Sequence, residues 1–498
     1  MLLAALAGIE KSDDSFRVIH DGTHGVKVNQ RIRPRDQCRF PGIAEKQFIM
    51  QRAQDEKISL FGIKADVSKA HRRFKVRRVD IGLQACQLRP KSVWLNLVGT
   101  FGIGSASYWW TKIASCIARL GMLIVGRDEF WQLLYADDFD WCTSGPDLAV
   151  NVLVVIFFYA VVGVPFSWHK CGGGFAYDWI GYWQDYKSFE VGISEARAKW
   201  LCNWIDETLA QGCVLVRSMA EVLGRLGFAA GAIDYFRPFL GPFYAWCSSV
   251  PMGALLDVPI MLRILLKFFR RELECGGFLN KCVSQAPRGT TPDSFRADAM
   301  AEEGKAAMGG WCCADDPDPM KCRWFFLEIK REDAPWAFIH GEDQLFRFIA
   351  TFELIATLAC VHLFGNPDQL QQVILPGSTD NIGNSFILKK FMTTKFPLCC
   401  VLMQLAELLH SKGRKLSLVW LPRDDNDLAD AISKEDFSSF DGKLRLQVSL
   451  HDFPLMLDLI QAGQDMYDTV RQRKMLKPPD DSTWARAPAK AKINTPWA

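Results

Sequence analysis

Neither sign of charge prevails in this chain. Its 59 Lys and Arg against 56 Asp and Glu leave a formal net charge of +3, so the strong basic balance that marks many nucleic-acid binders is absent. Zinc-module spacing is missing too. The 16 cysteines include no CxxC pair and no Cys/His series, and Cys312-Cys313 and Cys399-Cys400 stand too close for ordinary chelation. Scattered cysteines in a long chain suit a reduced compartment, so an intracellular protein, cytoplasmic or nuclear, is expected. No internal repeat is evident. The apolar opening Met1–Ala7 is short and lacks a basic n-region and a cleavage site, so a signal peptide is not expected.

What is present is ample core material. The 498 residues are 49% hydrophobic and 23% charged, a globular composition for two to four domains. Residues 148–166 are nearly all apolar, broken by Asn151, Gly163 and Pro165. Length alone would admit a membrane span, but a helix buried under a sheet explains the same composition, and no membrane partner is expected.

The most informative feature is Tyr135-Ala136-Asp137-Asp138. Its flanks, Phe130 to Leu134 before and Phe139 after, read as strands, which puts two adjacent carboxylates at a hairpin tip. Such a pair about 4 Å apart repels by roughly 4 kcal/mol at an effective dielectric near 20, a penalty that a divalent cation removes. Upstream, Gly62 to Ala70 reads as a strand ending in Asp66. Carboxylates from separate segments that bracket two cations are what two-metal phosphoryl transfer needs.

With these residues in hand, the chain resembles a reverse transcriptase of the retrotransposon and retroviral kind. Asp66-Val67-Ser68-Lys69-Ala70 resembles the family's first catalytic segment, and Phe101-Gly102-Ile103-Gly104-Ser105-Ala106 the template- and nucleotide-contacting segment after it. Tyr135 to Asp138 is similar to the Tyr-x-Asp-Asp box. Residues 163–170 resemble the next segment, whose Lys170 would lie near the nucleotide phosphates, and Trp179-Ile180-Gly181-Tyr182 the primer grip. Phe16 to Asp21, followed by Asn29, resembles the fingers strand whose Arg17 would hold the triphosphate. The segments keep the family's order over residues 16–185. One departure is His71, five residues after Asp66, where the family usually carries a Tyr or Phe that blocks the ribose 2′-hydroxyl; the family's sugar discrimination is not carried over to this position. The resemblance makes Arg17, His71, Gly102, Lys170, Trp179 and Gly181 the substrate-contacting set.

A second constellation follows. Phe295-Arg296-Ala297-Asp298-Ala299, Gly309-Gly310-Trp311 and Arg323 to Ile329 read as three strands, and residues 346–364 as a helix carrying Glu353. Val373 to Leu375 leads into Ser378-Thr379-Asp380-Asn381; Leu416 to Leu421 is a further strand, and Asn426 to Asp430 opens a last helix. The layout resembles the ribonuclease H fold, and Asp298, Glu353, Asp380 and Asp430 match that family's Asp-Glu-Asp-Asp set in order. Singly each has a plain structural role available: Asp380 as a helix cap, Glu353 as a half-exposed helix residue, Asp430 as a helix-dipole partner. The loop before Asp430 lacks the His often found there and offers Asp424, Asp425 and Asn426.

The expected architecture is α/β and α+β multidomain, a right-hand polymerase followed by a ribonuclease H-like domain. Residues 1–60 would be partial fingers, 61–185 the palm with fingers elements, 186–285 thumb and connection with a linker near 276–292, 293–440 the ribonuclease H-like domain, and 441–498 a C-terminal helix and a disordered, basic, Pro-containing tail from about 470. Neither a protease nor an integrase segment is visible. The resemblance implies an RNA-directed DNA polymerase with ribonuclease H activity, using two Mg²⁺ per active site, or Mn²⁺, held by the seven carboxylates. RNA template, DNA primer, RNA-DNA hybrid and dNTPs would be its partners. Lys64, Lys69, His71, Arg72, Arg73, Lys75, Arg77 and Arg78 would supply phosphate contacts. The alternative is a decayed or domesticated copy that binds nucleic acid without catalysis.

Overall fold

The computed structural model describes residues 3–10, 16–126, 130–282, 293–365, 374–476 and 497. The chain forms two compact units, one of Met1–Ser194 with Lys492–Ala498 and one of Glu195–Ala491.

The first unit is built on a four-stranded antiparallel sheet in the order Phe130–Tyr135, Asp138–Thr143, Phe61–Asp66, Gly172–Gly174. Strand alternation divides its two faces. Ile63, Ala65, Phe139 and Trp141 point into an apolar core with Trp110, Ala114, Val155, Tyr159 and Phe166. The helices that close this side are Gly104–Val125 and Leu148–Val161. The first buries Trp110, Ala114, Ala118, Gly121 and Val125, a spacing of three and four that makes one helical face. It stops at Gly126, whose φ of 60° supplies the left-handed cap.

On the opposite face, Asp66 stands across from Asp138, Lys64 from Asp140, and Gly62 from Cys142. Asp140 and Lys46, the latter on helix Ile43–Asp55, are both fully buried and form an ion pair. The Lys46 ammonium also donates to Cys142 Sγ and to the Tyr186 hydroxyl, each at 2.8 Å, and Tyr177 donates to Asp140. Burial alone would lower the Lys46 pKa; Asp140 and Cys142 together more than offset it and hold the ammonium above its ordinary value.

The second unit carries a six-stranded sheet, ordered Lys415–Trp420, Ile374–Thr379, Phe295–Glu302, Lys305–Trp311, Trp324–Glu328, Arg445–Leu446. The three strands between Phe295 and Glu328 are antiparallel neighbours, and the others join in parallel. Two consecutive glycines let helices approach both faces. A Cβ on Gly309 would lie 2.5 Å from Ile432, and one on Gly310 2.7 Å from Cys360. Ahead of this sheet come the helices Glu195–Gln211, Val216–Ala229, Arg237–Cys247 and Ile260–Glu274, packed around Phe236, Phe239, Phe243 and Phe269. The last two also pack on helix Pro454–Leu476, and Arg237–Cys247 on Leu398–Ser411. The segment expected as thumb and connection therefore shares a core with the segment expected as ribonuclease H.

Several expectations need correction. The tail does not lose order at 470: Arg471, Arg473 and Lys474 continue helix Pro454–Leu476, because Met466, Tyr467 and Val470 are buried there and Arg471 pairs with Asp468. The Pro-containing stretch beyond 476 lies outside the described residues. The linker near 276–292 includes a strand, Leu279–Lys281, and its residues 283–292 are likewise outside them. The helix expected over 346–364 starts as a 3₁₀ segment, Glu342–Phe348, and becomes α-helical only at Ile349. Among the described residues one helical stretch, Glu342–Phe364, is long and apolar enough to cross a membrane by length and composition, and 67% of its apolar window is buried in the protein. The apolar helix under the four-stranded sheet is shorter, Leu148–Val161.

Two candidate carboxylate centres

The first centre sits where the four-stranded sheet turns. Tyr135 pairs with Asp138, which leaves a two-residue loop, Ala136-Asp137. Ala136 takes a φ of 54°, as a tight hairpin of this kind requires. The neighbouring strand is fastened to the tip: the Val67 N–H donates to the Asp137 carbonyl at 3.0 Å and the Ser167 N–H to the Asp66 carbonyl at 2.8 Å. Asp66, Asp137 and Asp138 are thus gathered from two segments, and all are half-buried, which sets aside a solvated turn. Burial pushes Asp138 up to about 6, and the charges of Asp137 and Asp66 push the same way. Asp137 is raised by burial and by Asp66. Lys170 donates to Asp66 Oδ2 at 2.6 Å, so its ammonium supplies the counter-charge at this centre.

Around the tip, the expected substrate-contacting residues divide. Arg17 lies over the Phe101 ring at 5.1 Å. The His71 ring meets the edge of Phe101 at 4.7 Å, and its Nδ1 is buried without a hydrogen-bond partner; burial lowers its pKa while Asp137 pulls it up. Of these, His71 feels the Asp137 charge and Lys170 bonds Asp66, while Arg17 is placed beside Phe101 and His71. Gly102 does something other than admit a template. Its φ is 96°, and a Cβ there would lie 1.9 Å from the His20 carbonyl oxygen, so the group that approaches it is the chain's own strand Phe16–His20. Asn29 fixes this corner by donating to the Gly102 carbonyl and accepting from the Gly104 N–H, both at 2.8 Å. Trp179 is likewise corrected: it is 2% exposed and packs beneath the Lys46 ammonium at 5.7 Å, a core position out of a primer's reach. Ile180 and Gly181, with φ of 45° and 87°, form the turn between Trp179 and Tyr182.

The second centre lies between two parallel strands, midway along Phe295–Glu302 and just past the end of Ile374–Thr379. Arg296 stands opposite Ser378; two residues further along each strand come Asp298 and Asp380. Glu353 reaches the same point from helix Ile349–Phe364. One oxygen from each of Asp298, Glu353 and Asp380 lies within 4.8 Å of the others, the one such trio among the described residues. The plain roles fail for two of the three. Asn381, not Asp380, caps the following helix, its side chain accepting from the Asn384 N–H at 3.1 Å. Glu353 is 6% exposed, not half-exposed. Asp430 stands apart, with one oxygen bonded to Arg423 at 2.9 Å and the other to Lys434 at 2.7 Å; burial would raise its pKa, but these two cations outweigh that and hold it low.

The trio's electrostatics fit a divalent cation. Burial pushes Asp298 up to about 7, with Asp380 and Asp430 adding repulsion, while the Ser433 hydroxyl, donating at 2.8 Å, pulls the other way. Glu353 is held well above its ordinary value by burial and by Asp298 and Asp380. Glu353 Oε2 and Asp380 Oδ1 are buried without a hydrogen-bond partner, a costly state that a bound cation relieves. Ser433 was not singled out by sequence, although its place one helical turn after Asp430 could have marked it.

A pH dependence follows. The folded chain keeps a proton on Asp298 up to about pH 7, whereas the unfolded chain releases it near pH 4. Between those values the folded state binds more protons, so this group's contribution to metal-free stability falls as pH rises and levels off above about 7. In metal-free buffer the thermal midpoint of Asp298→Asn should therefore gain on that of the parent chain as pH is raised from about 5 to about 8. A difference that stays constant across that range contradicts the assignment.

No family model and no curated protein matches this chain. Among solved structures it is similar to a foamy viral protease-reverse transcriptase dRH in complex with double-stranded DNA, at 13% identity and a TM-score of 0.44 over 84% of this chain and 66% of that one. It is also similar to the foamy viral protease-reverse transcriptase bound to an RNA/DNA hybrid, at 11% and 0.43 over 84% and 50%, and to the same kind of protein bound to double-stranded DNA, at 11% and 0.46 over 78% and 71%. The chain spans about two thirds of the first of these and half of the second, and the likeness is distant.

Proposed function

We propose that the chain is an RNA-directed DNA polymerase that also cleaves the RNA strand of RNA-DNA hybrids. The observation that carries this reading is the antiparallel register that sets Asp66 opposite Asp138, with Asp137 in the turn between strands. The separate Asp298, Glu353 and Asp380 cluster supports the second activity. Divalent cations, Mg²⁺ or Mn²⁺ and two per centre, would be held by Asp66, Asp137 and Asp138 and by Asp298, Glu353, Asp380 and Asp430; when bound they would neutralise developing charge and acidify the attacking primer hydroxyl or water. The chain's own residues do the rest. Arg17 and Lys170 meet the triphosphate of an incoming dNTP. Exposed Lys69, Arg72, Arg73, Lys75, Arg77 and Arg78 contact backbone phosphates of template and primer. The hybrid is read by backbone and groove shape.

A second reading is a nucleic-acid binder without catalysis. It is favoured by Lys170 on Asp66 and by Arg423 and Lys434 on Asp430, since each of these carboxylates already has a cation. A DNA primer annealed to an RNA template separates the two. With dNTPs and Mg²⁺ or Mn²⁺, the first reading gives primer extension and shortening of the RNA. Binding with neither product, across metals and primers, overturns it in favour of the second.

A further inference from the structure

Asp430 is the one carboxylate of its centre whose oxygens are both taken by cations. We propose that Arg423 and Lys434 form a clamp that withholds Asp430 from the Asp298, Glu353 and Asp380 cluster until phosphates of a bound nucleic acid draw the two cations away. This rests on the metal-dependent hybrid cleavage proposed above and adds to it an order of assembly.

The geometry supports it in three ways. Arg423 Nη2 lies 2.9 Å from Asp430 Oδ1 and Lys434 Nζ 2.7 Å from Oδ2, so each oxygen already has a cationic partner with which a metal ion would have to compete. Both cations are reachable: the Arg423 side chain is 66% exposed and that of Lys434 43%, against 20% for Asp430. Their positions also differ in kind. Arg423 opens a short 3₁₀ turn in the loop ahead of the helix, whereas Lys434 follows the end of helix Asp427–Ser433, four residues after Asp430. Exposed ion pairs of this sort are weak and exchange readily, and a guanidinium prefers a phosphate's paired oxygens. A hybrid lying over the centre would thus compete for both cations at once and release Asp430 toward its neighbours. By linkage, whatever the hybrid adds to metal affinity the metal adds to hybrid affinity.

The test uses the full chain and Mn²⁺ binding followed by electron paramagnetic resonance. Sites abolished by Asp298→Asn are the ones counted, so cations elsewhere drop out. Without nucleic acid, the double substitution Arg423→Gln and Lys434→Gln should raise Mn²⁺ affinity at those sites roughly fivefold or more, and that gain should vanish when Asp430→Asn is added. A hybrid made uncleavable by 2′-O-methyl groups should raise the parent chain's affinity by a similar factor and add little to the double variant. A gain that persists undiminished with Asp430→Asn would come from the loss of positive charge in general and overturns the clamp, as does the absence of any gain. If Asp298→Asn removes no Mn²⁺ binding at all, the metal reading of the centre falls and the clamp with it, an outcome distinct from the other two. Arg423, Lys434 and Asp430 lie at the surface or partly so, Asp298 is buried, and thermal midpoints of all the variants confirm that they fold.

Discussion

Replacing Asp137 by Asn should lower primer extension on an RNA template by roughly 10²–10⁴-fold, the several kcal/mol that charge stabilisation by a metal contributes at about 1.36 kcal/mol per decade, while cleavage of a hybrid continues. Asn keeps the size and the backbone of the turn, so the Tyr135–Asp138 pairing survives. What is lost is one of the three carboxylates that the strand register brings to this turn. Folding should not suffer, because Asp137 is strained by burial and by Asp66 and a neutral side chain relieves both. The mirror variant, Asp298→Asn, should lose hybrid cleavage and keep extension. The two centres sit in separate compact units, which is why the losses should not cross. Gel-resolved products from one primed template read both activities together. Extension by Asp137→Asn within tenfold of the parent would remove the hairpin from the chemistry.

Lys46→Met should cost about 3–5 kcal/mol of stability, because it leaves Asp140 buried and charged with no cation. Against a total of about 5–15 kcal/mol for a domain, that is enough to unfold a large fraction of the first unit at ordinary temperature. Replacing both partners, Lys46→Met with Asp140→Leu, should recover most of the loss, since a buried pair exchanged for apolar side chains is often neutral. Denaturant midpoints followed by tryptophan fluorescence measure both, with Trp141 and Trp179 fully buried close by. A single variant that loses less than about 1 kcal/mol would mean that water reaches Asp140.

These residues also show what could be read from sequence and what could not. Asp66 and the Asp137-Asp138 pair were legible because each ends or joins a strand, and antiparallel pairing of two such strands has few registers. Asp298, Glu353 and Asp380 were legible only as an ordered set resembling the ribonuclease H pattern, because singly Asp380 and Glu353 each had a plain structural role available. Asp140 carried a signal that went unread: it alternates with Phe139 and Trp141 in a buried strand, and a charge in that position needs a partner. That partner, Lys46, lies 94 positions earlier, and nothing local in its amphipathic helix marks it as buried. Gly102 and Trp179 were misjudged for a different reason. A motif records that a small or a large side chain is needed at a position; it does not say whether the space is shared with a ligand or with the chain's own strand, as Gly102 shares it with His20. The ion pairs of Lys170, Arg423 and Lys434 were equally out of reach, since long cationic side chains choose partners by fold rather than by sequence neighbourhood.

The most direct measurement is anomalous scattering from crystals of the full chain soaked in Mn²⁺. The proposed function requires peaks at two places, one between Asp66 and the Asp137-Asp138 turn and one among Asp298, Glu353 and Asp380. Crystals that take up Mn²⁺ elsewhere and show no peak at either cluster would contradict it.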